Sequence, residues 1–416
     1  MNQLISCCED HVIIGLKDSA FVVNSRTNSI TELQRKNLAT KEGSATETKD
    51  SENQSSDKAV APKKQKSEDE LNTIHAVAVT RSQESILYCA VARGDKSLAL
   101  YKLESHDQQP TALLPYLVYE TTKRVSCLSF AAWQHTPTDG DASTPSSVQL
   151  LLVAGDLAGD AHAYSLDDGL QRQKLLLGHT ASMLTGLCIS NSVLLTADRD
   201  EKIRISSFPQ TFIIEGFLLG HEAYITALDA SSKGIVATAS GDSTVRLWNL
   251  KTQQQIFELS VPNTTPVDSN LSEEASQDLI PIDLSFNADG TLLAVIFDQS
   301  NRLDLYRVTT LAEESGNLEL VQSVVCNSQP LGVRSQGTDS FYIVQRDPHF
   351  MALFQVVTKD ESVSVVEHTL PVIQDLRNLA ASRQMVLQET ILERDQNGQI
   401  KLRKLHETRG PAAGNE

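Results

Sequence analysis

Two side chains of this 416-residue chain, His221 and Asp242, are of types that could form a catalytic pair. A carboxylate that orients a histidine would make the imidazole a general base. However, Ser240 and Trp248 stand close by in the sequence, and the four residues occupy positions that are expected to hydrogen-bond in series within one repeat. We therefore predict a structural network, in which Asp242 accepts from His221 and the indole of Trp248 donates to Ser240.

The same four positions occur once more, earlier in the chain, but they are filled differently. His179 and Asp200 stand where the pattern expects the histidine and the aspartate. Asp198 stands in the position of the serine, and Ser206 replaces the tryptophan. This earlier copy is therefore predicted to have lost part of the stabilising network.

The altered copy coincides with a dense charged segment, Asp198–Lys202, which Arg204 follows. A local departure from the folding pattern is more expected at a functional surface than elsewhere. A solvated charged turn is the alternative, because Arg204 stands in a position that Arg246 fills in the ordinary copy. The residues alone leave both interpretations open.

These residues belong to an internal repeat. Gly178-His179 recurs as Gly220-His221 about 42 residues later, and Asp200–Ser206 aligns with Asp242–Trp248 at the same offset. A period of about 40–45 residues, with Gly-His near its start and tryptophan near its end, is the WD-repeat signature. Each unit is a four-stranded antiparallel sheet that buries both faces by stacking in a ring.

Weaker copies share an aspartate-centred turn that is followed by an alternating strand. With them, the turns number seven and lie near Asp18, Asp95, Asp156, Asp200, Asp242, Asp298 and Asp347. The fold class is therefore predicted to be all-β, a seven-bladed WD-repeat β-propeller with a disordered insertion and a C-terminal tail.

The predicted organisation has four parts. Residues 1–32 supply N-terminal strands that complete the propeller, and residues 71–370 supply the remaining blades. Residues 33–70 are rich in Ser, Thr, Lys, Glu and Asp, so they are predicted to be a disordered, low-complexity insertion. Residues 371–416 are predicted to be a tail with a short helix over about Gln374–Glu393.

Composition narrows the function. The formal net charge of −17 disfavours a stand-alone nucleic-acid binder, because the chain repels phosphate on average. The six cysteines fit no paired zinc spacing, and no Gly-x-Gly-x-x-Gly follows a strand, so no metal and no cofactor are expected. No apolar run reaches the length of a membrane helix, and the acidic N-terminus does not resemble a secretory signal.

Leu195–Ser206 (Leu-Thr-Ala-Asp-Arg-Asp-Glu-Lys-Ile-Arg-Ile-Ser), preceded by Leu177–Leu184, closely resembles repeats of one particular WD family. This is the Wuho-like family, the WD-repeat non-catalytic subunit of the eukaryotic tRNA guanine-N7 methyltransferase. Generic WD repeats read Ser-Gly-Ser-x-Asp-Gly-Thr at this turn, so the motif is restricted. The close match covers about residues 175–250.

The resemblance implies a division of labour. In the family, a separate catalytic subunit binds S-adenosylmethionine and methylates N7 of guanine 46 in tRNA, and the WD subunit stabilises that enzyme in a heterodimer. It implies no enzymatic activity for this chain, and tRNA contact mainly through the partner. The family's basic interface residue, which pairs with an acid on the enzyme, is Arg204 here, with Glu201 near enough to orient it. Arg199, Asp200 and Lys202 are adjacent candidates.

Alternative functions remain. A generic WD scaffold, such as a substrate receptor of a ubiquitin ligase, often carries Trp-Asp-x-Arg after a strand, and Trp248–Lys251 (Trp-Asn-Leu-Lys) matches this poorly. A hydrolytic propeller would need carboxylates that converge on the central channel, for which the sequence gives no reason. For localisation, Lys63, Lys64 and Lys66 form a weak nuclear-import segment, with solvated charge as the alternative. The nucleus is the expected location, and the cytoplasm a second one.

Overall fold

The chain forms a ring of seven antiparallel sheets, as seen in a computed structural model. The structure describes residues 3–35, 68–104, 110–135, 147–166, 173–180, 182–261, 279–311, 315–359, 362–382, 392–394 and 400–402. Most of the predicted insertion (36–67), the segment Lys63–Lys66 and the end of the tail therefore lie outside the described residues.

Blades 1 to 4 come first in the chain. Blade 1 contains β1 (Ile5–Cys8), β2 (His11–Leu16), β3 (Ser19–Asn24) and β4 (Ser29–Leu33), with β8 (Ala112–Leu113) added in parallel to β4. After α1 (Glu68–Asn72), blade 2 contains β5 (Ile74–Arg81), β6 (Leu87–Arg93), β7 (Ser97–Leu103) and β9 (Leu117–Glu120). Blade 3 contains β10 (Val125–His135), β11 (Ser147–Asp156), β12 (Asp160–Ser165) and β13 (Gln173–Gly178). Blade 4 contains β14 (Leu184–Ser190), β15 (Val193–Asp198), β16 (Ile203–Ser207) and β17 (Ile214–Leu218).

Blades 5 to 7 complete the ring. Blade 5 contains β18 (Ile225–Ala230), β19 (Ile235–Ser240), β20 (Thr244–Asn249) and β21 (Gln254–Ser260). Blade 6 contains β22 (Pro281–Phe286), β23 (Leu292–Phe297), β24 (Arg302–Leu311) and β25 (Ser315–Val325). Blade 7 contains β26 (Pro330–Gln336), β27 (Ser340–Gln345), β28 (Met351–Lys359) and β29 (Ser362–His368). The predicted seven-bladed propeller is confirmed.

The seven predicted turns all join the second strand of a blade to the third. Each contains one residue in the left-handed region of φ, as tight hairpins with a bulge require. These residues are Lys17, Lys96, Gly159, Glu201, Ser243, Gln299 and Phe350. The turns therefore lie on the same face of the ring, since they occupy the same place in every blade.

The core is divided among the seams between blades. The second strands β15 (VLLTAD) and β19 (IVATAS) are buried along their whole length, because each sheet packs against a neighbour on both faces. Seven apolar clusters result, one for each pair of adjacent blades. Outer strands such as β21 (QQIFELS) are mostly exposed.

The ring closes between blade 7 and blade 1. Each blade is built from consecutive strands, except that β8, which lies between β7 and β9 of blade 2, is added to blade 1. The helix α2 (Pro371–Ser382) covers this seam with four buried apolar side chains, Val372, Ile373, Leu376 and Ala380. Arg377 donates from this helix to the carbonyl oxygens of His349 and Met351 in blade 7. The helix therefore fastens the last blade to the first.

The predicted helix bounds, Gln374–Glu393, are wrong. The helix begins earlier because Pro371 suits its first turn, where an N–H would have no helical partner. Glu393 instead lies in β30 (Leu392–Arg394), which pairs with β31 (Ile400–Leu402). Neither helix in the described part of the chain is long and apolar enough to cross a membrane.

Candidate partner-binding surface on blade 4

Blade 5 shows what the complete network looks like. The Trp248 Nε1–H donates to Thr238 Oγ1 at 2.8 Å, and Thr238 Oγ1 lies 2.7 Å from His221 Nε2. His221 Nδ1 lies 2.9 Å from Asp242 Oδ2. A neutral imidazole satisfies every atom when Thr238 donates to Nε2 and Nδ1–H donates to the carboxylate. Burial is the largest influence on Asp242 and opposes its ionisation, but the interactions with His221, Thr244 and the backbone N–H of Glu222 together outweigh it and lower the pKa of that carboxyl.

The hydroxyl in this network belongs to Thr238, so the predicted bond from Trp248 to Ser240 is wrong. Trp248 pairs with Val236 across the β19–β20 ladder, which makes Thr238 its diagonal neighbour and places Ser240 two residues further away. Ser240 instead donates to the carbonyl oxygen of Ala223 and accepts from the backbone N–H of Asp242. It fixes the turn rather than the indole.

The geometry favours the structural role of His221 and Asp242 over the catalytic one. The side chain of His221 is 0% exposed, and both of its ring nitrogens are already engaged within the blade. A general base must reach the proton it abstracts. His221 has no such access.

Blade 4 keeps the histidine network, with a different aspartate from the one predicted. His179 Nδ1 lies 2.8 Å from Asp198 Oδ2, and His179 Nε2 lies 2.8 Å from Thr196 Oγ1. Asp198 ends β15 and shares a face with Thr196, whereas Asp200 is exposed in the turn. Asp198 also accepts from the backbone N–H groups of Asp200 and Lys202. The blade has therefore kept its histidine–aspartate pair and lost only the tryptophan.

Arg204 is the side chain that most distinguishes blade 4. Its Nε–H donates to Ser206 Oγ at 2.9 Å, and its Nη2 donates to the carbonyl oxygen of Thr211 at 3.0 Å. A longer contact of 3.4 Å joins Nη1 to the carbonyl oxygen of Gly178. Among the described residues, no carboxylate forms an ion pair with Arg204. Partial burial lowers the pKa of Arg204.

The corresponding arginine of blade 5 is neutralised within its own blade. Arg246 is 8% exposed, and its Nη2 lies 3.3 Å from Glu258 Oε2 and 4.0 Å from Asp242 Oδ2. Gln255 Oε1 accepts from its Nη1 at 2.9 Å. The two arginines stand at matching positions, but among the described residues only Arg246 is paired with carboxylates.

Exposed apolar side chains lie in and beside β17, the strand that pairs with the strand of Arg204, and one more, Leu175, lies in β13 of blade 3. We call the set of Arg204 and its exposed apolar neighbours the blade 4 rim, and the apolar members are Leu175, Phe212, Ile213, Ile214, Phe217 and Leu219. Phe217 pairs directly with Arg204 across the β16–β17 ladder, so their side chains share a face. Phe212 is 79% exposed. Such a concentration of apolar side chains around one charge is typical of a protein-binding surface.

The other predicted interface residues lie in the turn and do not contact Arg204. Asp200, Glu201 and Lys202 are exposed, and Arg199 Nε lies 3.6 Å from Asp200 Oδ1. Within the described part of the chain, no bond joins Glu201 to Arg204, so the expectation that Glu201 orients Arg204 is wrong. Glu201 takes the left-handed position of the turn, with a φ of 73°, and its side chain is exposed there.

The apolar members of the rim are the residues that sequence reasoning missed. A signal was available, because Thr211–Leu219 reads Thr-Phe-Ile-Ile-Glu-Gly-Phe-Leu-Leu, whereas the outer strand β21 of blade 5 alternates with polar residues. Consecutive apolar residues in an outer strand mark a functional surface. For metals, no three His, Cys, Asp or Glu side chains within the described ranges come together in a suitable arrangement.

Comparison with known proteins agrees with this architecture. A chain in the crystal structure of a mitotic checkpoint complex has the same fold, with a TM-score of 0.53 and 13% identity over 83% of this chain and 86% of that one. Residues 160–366 match the family described as the tRNA methyltransferase TRM82 WD40 domain. The protein is thus a WD-type β-propeller.

Similar sequences show which WD proteins this chain resembles. The chain is 32% identical over 250 residues to the tRNA (guanine-N(7)-)-methyltransferase non-catalytic subunit wuho of Aedes aegypti, which covers 57% of this chain and 53% of that protein. It is 27% identical to the wuho protein of Culex quinquefasciatus, over 59% of this chain and 53% of that one. The chain spans about half the length of the curated relatives it matches. The resemblance to the Wuho-like family is confirmed.

Proposed function

We propose that this protein is the non-catalytic subunit that binds and stabilises the methyltransferase forming N7-methylguanine at position 46 of tRNA. Its relatives are named as non-catalytic subunits of the tRNA guanine-N7 methyltransferase, and the matching family region includes blade 4. The catalytic subunit is the proposed partner in a heterodimer, and this chain contributes no chemistry of its own.

The observation that carries the proposal is the uncompensated charge of Arg204 within the blade 4 rim. An arginine that is partly buried and meets no carboxylate among the described residues is well placed to bind a carboxylate from another protein, since such charge-assisted hydrogen bonds are strong. The exposed apolar side chains around it would exclude water from that ion pair, which strengthens it. The fitting partner presents an acidic residue within an apolar patch.

Contact with tRNA is proposed to run mainly through the partner. The net charge of −17 works against phosphate binding by the propeller itself. The buried histidine–aspartate pairs of blades 4 and 5 are engaged within their blades, which is consistent with a supporting rather than a catalytic role.

The experiment uses the purified full chain and the recombinant catalytic subunit of the same species. Arg204→Leu is expected to weaken their association by at least about tenfold, because it leaves the partner's acid without its counter-charge. Arg307→Leu is the matched control, since Arg307 is also on the third strand of a blade and already pairs with Glu319 in its own chain. The methylation of tRNA should fall with the association. Normal binding by a folded Arg204→Leu protein would contradict the proposal.

We further propose a nuclear location, with the cytoplasm as a second one. The support is the Pro-Lys-Lys-Gln-Lys stretch, in which Lys63, Lys64 and Lys66 supply the charge. Replacing these three lysines with alanine should shift a fluorescent fusion of the full chain from nucleus to cytoplasm. An unchanged distribution would count against this segment as the import signal.

A further inference from the structure

Ser206 occupies the position that tryptophan occupies in blade 5. In the strand ladders, Ser206 pairs with Leu194 as Trp248 pairs with Val236, and Arg204 pairs with Thr196 as Arg246 pairs with Thr238. The two blades therefore superpose residue by residue along these strands. Ser206 is 0% exposed, so its hydroxyl is available only to groups within the blade.

The exchange of tryptophan for serine changes what the neighbouring arginine binds. In blade 5, the indole bonds to the central threonine, and Arg246 reaches Gln255 and Glu258 on the outer strand. In blade 4, the serine hydroxyl accepts directly from Arg204 Nε. The small side chain thus supplies both the space and the acceptor for the base of the guanidinium.

A second contact holds the other end of the same guanidinium. The carbonyl oxygen of Thr211 accepts from Arg204 Nη2, and the Thr211 hydroxyl donates to the carbonyl oxygen of Leu176 in blade 3. Arg204 is therefore fixed from two sides before any partner arrives. A long arginine side chain otherwise loses much rotamer freedom when it binds, and prior ordering avoids that loss.

We infer that Ser206 is a positioning residue, which holds the Arg204 guanidinium in the orientation that receives the partner's carboxylate. The inference rests on the proposed function, since it assumes that Arg204 contacts the partner. It extends that function by assigning a role to the serine, because blade 4 has Ser206 where blade 5 has Trp248, and the serine hydroxyl accepts from Arg204.

The test measures the affinity of variants of the full chain for the recombinant catalytic subunit. Ser206→Ala is expected to weaken binding by about tenfold, as the loss of one hydrogen bond to a charged group would. Ser206→Thr keeps the hydroxyl and should restore most of the affinity. In an Arg204→Leu background, Ser206→Ala should cause no further loss, because Ser206 acts through the arginine. Ser285→Ala, which removes a buried hydroxyl in blade 6, is the control for loss of a hydroxyl alone.

The possible results distinguish the role of Ser206 from the proposed binding site at Arg204. Wild-type affinity of a folded Ser206→Ala protein, or an equal loss in the Arg204→Leu background, would overturn the role of Ser206 while Arg204 keeps its own. Wild-type affinity of Arg204→Leu would instead overturn the proposed binding site. If Ser206→Ala lowers the melting temperature strongly, Ser206→Cys is measured instead, since a thiol of similar size is only a weak acceptor. A folded Ser206→Cys protein should bind the catalytic subunit more weakly, and wild-type affinity would overturn the role of Ser206.

Discussion

Blades 4 and 5 are neighbours with the same backbone and nearly the same buried network, yet they differ in what they leave exposed. Both pair a histidine with an aspartate and a threonine. Blade 5 adds Trp248 and encloses its arginine among Asp242, Glu258 and Gln255. Blade 4 has Ser206 instead, and Arg204 meets only a hydroxyl and carbonyl oxygens among the described residues.

Under the proposed function, the difference allows a repeat to gain a partner-binding role without losing its fold. The histidine–aspartate pair fixes the turn in both blades, so the tryptophan position is free to vary without loss of that pair. Replacing the indole removes a large buried side chain and one hydrogen bond, and it releases an arginine from its own blade. If the proposed function holds, fold and partner binding depend on different positions of the same repeat.

The largest expected effect comes from giving blade 5 the residue of blade 4. Trp248→Ser should lower the free energy of unfolding by about 3–5 kcal/mol, because a buried indole in the seam between blades 4 and 5 is removed. Urea denaturation of the purified chain measures it. A loss below about 1 kcal/mol would mean that the tryptophan contributes little and that the two blades are equivalent.

A smaller effect distinguishes the two central threonines. Thr238→Val leaves both the Trp248 indole N–H and His221 Nε2 without a partner, whereas Thr196→Val affects only His179 Nε2. Since each unpaired buried group costs about 1–3 kcal/mol, Thr238→Val should be the more destabilising by at least about 1 kcal/mol. Equal losses of unfolding free energy would show that the indole bond adds nothing.

The smallest expected effect is a pH dependence of the free energy of unfolding. The pKa of Asp242 is lowered in the folded protein, so its contribution to stability is complete above the unfolded value of about 3.9 and is lost as the pH falls below it. Asp242→Asn cannot titrate, and it should therefore lose less unfolding free energy than the wild type between pH 5 and pH 3. Chemical denaturation at the two pH values measures the difference. Parallel losses would contradict the assignment.

Sequence reasoning reached the fold because every blade repeats an aspartate-centred turn, and the period of Gly-His fixed the register. It chose the wrong hydroxyl partner for the Trp248 indole, because Thr238 and Ser240 lie on the same face of β19 and only the strand pairing shows which of them is closer. It assigned the histidine partner in blade 4 to Asp200 rather than Asp198 for the same reason, since alignment by offset ignores which side chain faces inward.

For the site, sequence reasoning named Arg204 but mistook what surrounds it. Glu201 is close to Arg204 in the sequence, but in the described part of the chain no hydrogen bond joins the two, because the side chain of Glu201 is exposed in the turn. The apolar members of the blade 4 rim were missed since an apolar residue in a strand is ordinarily buried, and only the position of β17 at the outer edge of the blade reveals its exposure.

Hydrogen–deuterium exchange of the full chain, with and without the recombinant catalytic subunit, tests the central claim most directly. We predict slower exchange in the complex for the amides of Ile214–Leu218, the outer strand of blade 4. The equivalent strand of blade 5, Gln254–Ser260, should exchange at the same rate in both states. Protection of blade 5 with none on blade 4 would contradict the assignment of the partner-binding surface to blade 4.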